Sequence, residues 1–87
     1  MKYIVTVDDA GQEDIFLFPN RIHHDAMAEM LGHIKNQTHG NWKRIYRAPV
    51  AAGFVSPDNE CYGHSETLNL KARPKDTDLL KTALSQS

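Results

Sequence analysis

The chain predicts an α+β fold in which an antiparallel β-sheet carries one main helix and a short C-terminal helix, in the order β-β-α-β-β-β-α. Three observations predict it. Apolar and polar residues alternate at the N-terminus, apolar residues recur at a helical period from Ile22, and Pro and Gly punctuate the β-rich segments that follow. At 87 residues the chain makes one domain, 1–87.

Lys2 to Val7 alternates and is rich in β-branched and aromatic residues, so it reads as a strand. Asp8-Asp9-Ala10-Gly11 is a turn signal, and Glu13 to Phe18 completes a hairpin. Ile15-Phe16-Leu17-Phe18 is apolar on both faces, which suits a central, covered strand. Pro19-Asn20 ends it, and Asn20 is placed to cap a helix. From Ile22 apolar residues fall at 22, 26, 27, 30, 31 and 34, which predicts one buried stripe on a helix ending near Asn36. Thr38-His39-Gly40-Asn41 then forms the exit loop.

Trp42 to Ala48 reads as a strand with Trp42, Arg44 and Tyr46 on one face. Pro49 marks an edge or a bend. Ala51 to Ser56 and Cys61 to Leu70 read as two more strands joined by the turn Pro57-Asp58-Asn59-Glu60, with Leu68 and Leu70 on one face. After Pro74, residues Leu79, Leu80, Ala83 and Leu84 form the apolar edge of the last helix. Asp76 and Asp78 suit its positive N-terminal end.

Composition excludes several classes. With 40% hydrophobic and 24% charged residues the chain is neither collagenous nor a disordered tail. No apolar run is long enough to span a membrane, and no secretory leader is visible. One cysteine, Cys61, cannot pair within the chain, as expected of a cytoplasmic protein. So small a chain has a thin core, which makes a homo-oligomer or a partner a reasonable source of added stability. The net charge of −1 is unevenly spread: residues 21–47 carry a net +3 and four of the five histidines, between segments of −3. Such a middle attracts anions locally, although mixed surface charge also serves solubility alone.

Four constellations carry candidate chemistry. At the start of the first helix, Asn20, Arg21, His23 and His24 add donors to free backbone N–H groups, an arrangement suited to a phosphate-bearing ligand such as a nucleotide, with Lys43, Arg44 and Arg47 as helpers. The competing reading makes Asn20 a simple cap and packs the histidines, with His23 near the centre of the stripe. Cys61-Tyr62-Gly63-His64 has half the ligand spacing of a zinc site, or pairs a nucleophile with a base, but lacks the further ligands or the orienting group each requires. Trp42-Lys43-Arg44-Ile45-Tyr46-Arg47 interleaves aromatics with cations, as a nucleic-acid module does. Trp42 and Tyr46 are also the residue types that anchor protein interfaces. No catalytic triad, P-loop or dinucleotide fingerprint is present, and no cofactor is implied.

Ala52-Gly53-Phe54-Val55-Ser56, Cys61-Tyr62-Gly63-His64-Ser65-Glu66-Thr67-Leu68-Asn69-Leu70 and Arg73-Pro74-Lys75-Asp76-Thr77-Asp78-Leu79-Leu80 resemble small bacteriophage and prophage proteins, across residues 49–84. The resemblance implies a non-enzymatic accessory protein of the bacterial host cytoplasm. Such a protein obstructs a host protein or sequesters a host nucleotide signal. The alternatives from the residues themselves are a small nucleic-acid-binding module over 42–47 and a small enzyme using Cys61 and His64.

Overall fold

The computed structural model describes residues 1–32, 35–38, 41–44 and 48–85, and the side chains of residues 1–31 and 48–85 among them. The N-terminal hairpin forms as predicted. Strand β1 (Lys2–Val7) pairs antiparallel with β2 (Glu13–Phe18). The turn is held by Asp8, whose carboxylate accepts the N–H groups of Ala10 and Gln12, and by Gly11 at φ +83°.

Next comes α1 (His24–Gly32), then β3 (Lys35–Thr38) and β4 (Asn41–Arg44), which pair with each other. The chain continues through β5 (Ala48–Val55), β6 (Cys61–Tyr62), β7 (His64–Ser65) and β8 (Leu70–Lys71), and closes with α2 (Pro74–Ser85). The main sheet has the order β2-β1-β5-β6, and its described pairs are all antiparallel. An α+β architecture with two helices on the sheet is therefore what the chain adopts.

The two helices lie on opposite faces. Alternate residues of β1 face opposite ways, so Tyr3 and Val5 join Ala51, Val55 and Leu80 of α2, while Ile4 joins Phe18, Ala52 and Leu31 of α1. Two covered faces explain why Ile15, Phe16 and Phe18 are apolar, while Leu17 stays exposed. The strand is nonetheless the last in the sheet order rather than central, because β1 holds the middle. The small residues Ala51, Ala52 and Gly53 bring the middle of β5 into the core.

Three segments differ from expectation: the first helix, the strand after it and residues 61–70. The first helix starts at His24, because the Ile22 N–H closes a turn onto the Pro19 carbonyl and His23 supplies the capping carbonyl for Met27. Asn20 is thus exposed in the turn and caps nothing at that helix. The helix also stops at Gly32, and the residues read as its last turn and exit loop belong partly to β3. The strand expected over 42–48 is the second arm of the β3–β4 hairpin, with residues 45–47 outside the described set. Pro49 sits at a register shift where β5 slips against β1 between Val5 and Thr6, which fits a residue that cannot serve a regular ladder.

The third difference lies in residues 61–70. They break into three two-residue strands because Gly63 (φ +79°) and Asn69 (φ +55°) turn the chain where an extended strand cannot continue. The turn at 57–60 forms as predicted, with Asn59 at φ +62° and its N–H on the Ser56 carbonyl.

Candidate functional site

Opposed residues in antiparallel strands share a face, and this sorts the candidates. Cys61 pairs with Val55 and so belongs to the α2 face. Tyr62 pairs with Phe54, whose ring leans on His24, on the α1 face.

On the α2 face the chemistry is closed and structural. The fully buried Tyr3 hydroxyl donates to Asp76 Oδ2 at 2.6 Å. The same carboxylate accepts the Arg73 backbone N–H and its Nε–H, both at 2.8 Å. Asp76 thus closes the first turn of α2 back onto the residue before it, as the third residue of a capping box does. Arg73 reaches on to Glu13 at 2.9 Å, and Lys75 meets that carboxylate at 3.3 Å, tying α2 to β2. Burial opposes the charge of Arg73, but the hydrogen bonds to Glu13 and Asp76 outweigh it and hold the guanidinium charged. Hydrogen bonding to Arg73 holds the Glu13 carboxyl below the usual range.

Cys61 sits beside this network, half-buried, with its backbone N–H on Thr77 Oγ1. Burial, then the neighbouring Asp76 charge, push its thiol up, the opposite of what a nucleophile needs. His64 is exposed and faces Glu66 at 3.8 Å. Among the described residues no hydrogen bond or ion pair joins Cys61 to His64, and no group of three metal-ligating side chains forms.

Two depressions that share His64, Ser65 and Glu66 form a trough that starts on the α1 face and, at Val50 and Arg73, reaches side chains of the α2 face. The smaller, about 300 Å³, is bounded by Lys2, His23, His24 and Phe54. The larger, about 780 Å³, extends over Val50, Asn69 and Leu70 to Lys71 and Arg73. Both fall within the size range of small-ligand sites.

No family model, curated protein or solved structure matches the chain. His23 is exposed at the rim of the trough. His24 is buried, wedged edge-on between Phe18 and Phe54, with Nε2 at 2.9 Å from the Gly53 carbonyl. That carbonyl can only accept, so Nε2 carries the proton and donates. Burial pulls the pKa of His24 below its ordinary value, which keeps the ring neutral and makes it a wall rather than an anion ligand. Lys2 Nζ donates to the Ile22 carbonyl at 3.0 Å while bordering the same depression.

Of the residues that the sequence grouped around an anion, the structure brings together His23 and His24. Asn20 and Arg21 lie exposed in the preceding turn, outside the residues bordering the trough. Asp25 Oδ1 accepts the N–H of Ala26 and so occupies part of the helix terminus itself. Arg47 and Tyr46 lie outside the described residues, as do the side chains of Trp42, Lys43 and Arg44. Sequence reasoning missed Lys2 and the placement of His64, which lie far apart in the sequence with no spacing rule to join them. Among the described residues no helix is long and apolar enough to cross a membrane.

Proposed function

We propose that this chain is a non-enzymatic binding domain that holds a small phosphate-bearing ligand of nucleotide size in the α1-face trough, acting one-to-one rather than by turnover. The observation that carries it is the gathering of Lys2, His23 and His64 from three separate segments around one depression beside the Phe54 ring. Cations and imidazoles supply charge-assisted donors for phosphate, and an aromatic ring supplies a face for a base. The raised thiol of Cys61, on the other face, favours binding over covalent chemistry. In the setting that the phage-like second half implies, the ligand is a host nucleotide signal withdrawn from its receptor.

Calorimetric titration with nucleoside mono-, di- and cyclic phosphates tests the reading. One of them binds at a single site, and His23→Ala with His64→Ala weakens it at least about tenfold, the loss of roughly 1.4 kcal/mol expected of a charged hydrogen bond. Absence of heat from every nucleotide at millimolar concentration refutes it. Obstruction of a host protein is the second reading, favoured by Tyr62, which is 54% exposed and lies tilted against Phe54 with ring centroids 5.9 Å apart.

A further inference from the structure

Between Glu29 and Asp58 the chain carries no acidic residue, yet it holds Lys35, Lys43, Arg44 and Arg47 together with His33 and His39. The backbone folds the middle of this stretch into an antiparallel ribbon. Its register sets Lys35 opposite Arg44, Asn36 opposite Lys43, Gln37 opposite Trp42 and Thr38 opposite Asn41. With a period of two, the pairs Lys35/Arg44 and Gln37/Trp42 share one face of the ribbon, and Asn36/Lys43 and Thr38/Asn41 share the other. One face therefore carries two cations, an amide and an indole, and the other carries one cation with amide and hydroxyl residues.

Like charges directly opposite one another destabilise a strand pair. Lys35 and Arg44 hold opposed register positions of that kind, and the stretch carries no acidic residue. An anion lying across both strands turns such repulsion into attraction. We infer that the β3–β4 ribbon is an arm that binds the phosphate backbone of a nucleic acid. A repeating polyanion matches cations spread along two strands, and the amides and hydroxyls between them are residue types that bond to phosphates and base edges. A two-stranded ribbon also has the width that a major groove admits. A membrane surface is the poorer match, because the ribbon offers Asn, Gln and Thr where insertion requires apolar residues.

The inference is independent of the trough, and the test uses the full chain. Anisotropy is followed for a labelled duplex of about 20 base pairs and for the matching single strand, from about 50 to 200 mM salt. Binding is expected, with a log–log salt slope of about −2 to −3 for the three ribbon cations. Lys43→Glu with Arg44→Glu should weaken it at least about tenfold and flatten the slope by about two, whereas His23→Ala with His64→Ala leaves it unchanged. Circular dichroism confirms that the charge-reversed chain is folded, and Lys43→Gln with Arg44→Gln serves in its place otherwise. Tighter binding to the duplex or to the single strand upholds the arm and distinguishes groove entry from backbone tracking. No binding at the lowest salt, a flat slope, charge reversal without effect, or binding to anionic vesicles alone overturns it.

Discussion

Tyr3→Phe removes one hydroxyl from the centre of the α2 face and leaves the ring in place. Tyr3 and Asp76 are both 0% exposed, so neither finds water as a substitute partner. A hydrogen bond to a charged acceptor contributes about 1.5–3 kcal/mol. Asp76 keeps both bonds from Arg73, so the loss should fall near about 2 kcal/mol. For a domain of this size that lowers the melting temperature by roughly 8–16 °C. Asp76→Ala strips the buried hydroxyl and Arg73 together and should cost about 3–5 kcal/mol. The double variant then loses about 1–2 kcal/mol less than the sum, since the hydroxyl that Asp76→Ala leaves unpaired is already gone. Urea unfolding of the four proteins, with a common slope, measures the cycle. An additive cycle, or a Tyr3→Phe variant within about 0.5 kcal/mol of the parent, refutes the assignment of this bond as a structural tie.

Three other outcomes follow from the same geometry. Thr6 is buried, and its Oγ1 has no hydrogen-bond partner among the described residues, so Thr6→Val should raise stability by about 1 kcal/mol in the same urea assay. A Cβ on Gly53 would be driven into the Tyr62 carbonyl oxygen and crowd the Tyr3 ring at 3.2 Å, so Gly53→Ala should lose about 3 kcal/mol by parting β5 from β6, seen as a drop in thermal midpoint. Because the folded pKa of His24 is depressed, the unfolded chain binds its proton first. Stability should therefore fall as pH drops below 6.5, until the folded pKa is reached, and His24→Phe should flatten that part of the urea-midpoint profile.

The hairpin was legible because its signals are local: alternation, a Gly at positive φ and an Asp that closes its own turn. The helix position was not, because it depends on how Pro19 to Ile22 folds. A start at Ile22 centres the stripe near His23. The observed start at His24 makes the stripe 24, 27, 28 and 31, buries His24 and leaves Met30 61% exposed. Gly63 and Asn69 were visible breakers inside the segment read as one strand, and Asn69 at positive φ is conformationally uncommon. Asp76 was legible as an N-terminal helix acid but not as a buried one, since its partner Tyr3 lies 73 residues away.

On the proposed reading, stability and recognition rest on different side chains. Tyr3, Asp76 and Gly53 are buried and hold helix to sheet, whereas His23 and His64 are exposed and removable without opening the core. His24 joins the two roles, as it walls the trough and ties α1 to the Gly53 carbonyl. A ligand seated against it binds only the folded chain, so occupancy at about one hundred times Kd should add about 2.7 kcal/mol of stability. It should also blunt the acid sensitivity that His24 imparts, because a phosphate charge beside the ring favours its protonated form and raises the folded pKa back toward the unfolded value. Melting with and without a bound nucleotide at pH 7 and at pH 5.5 reads both effects. A nucleotide that stabilises equally at the two values places itself away from His24, and the trough would then not be where it sits.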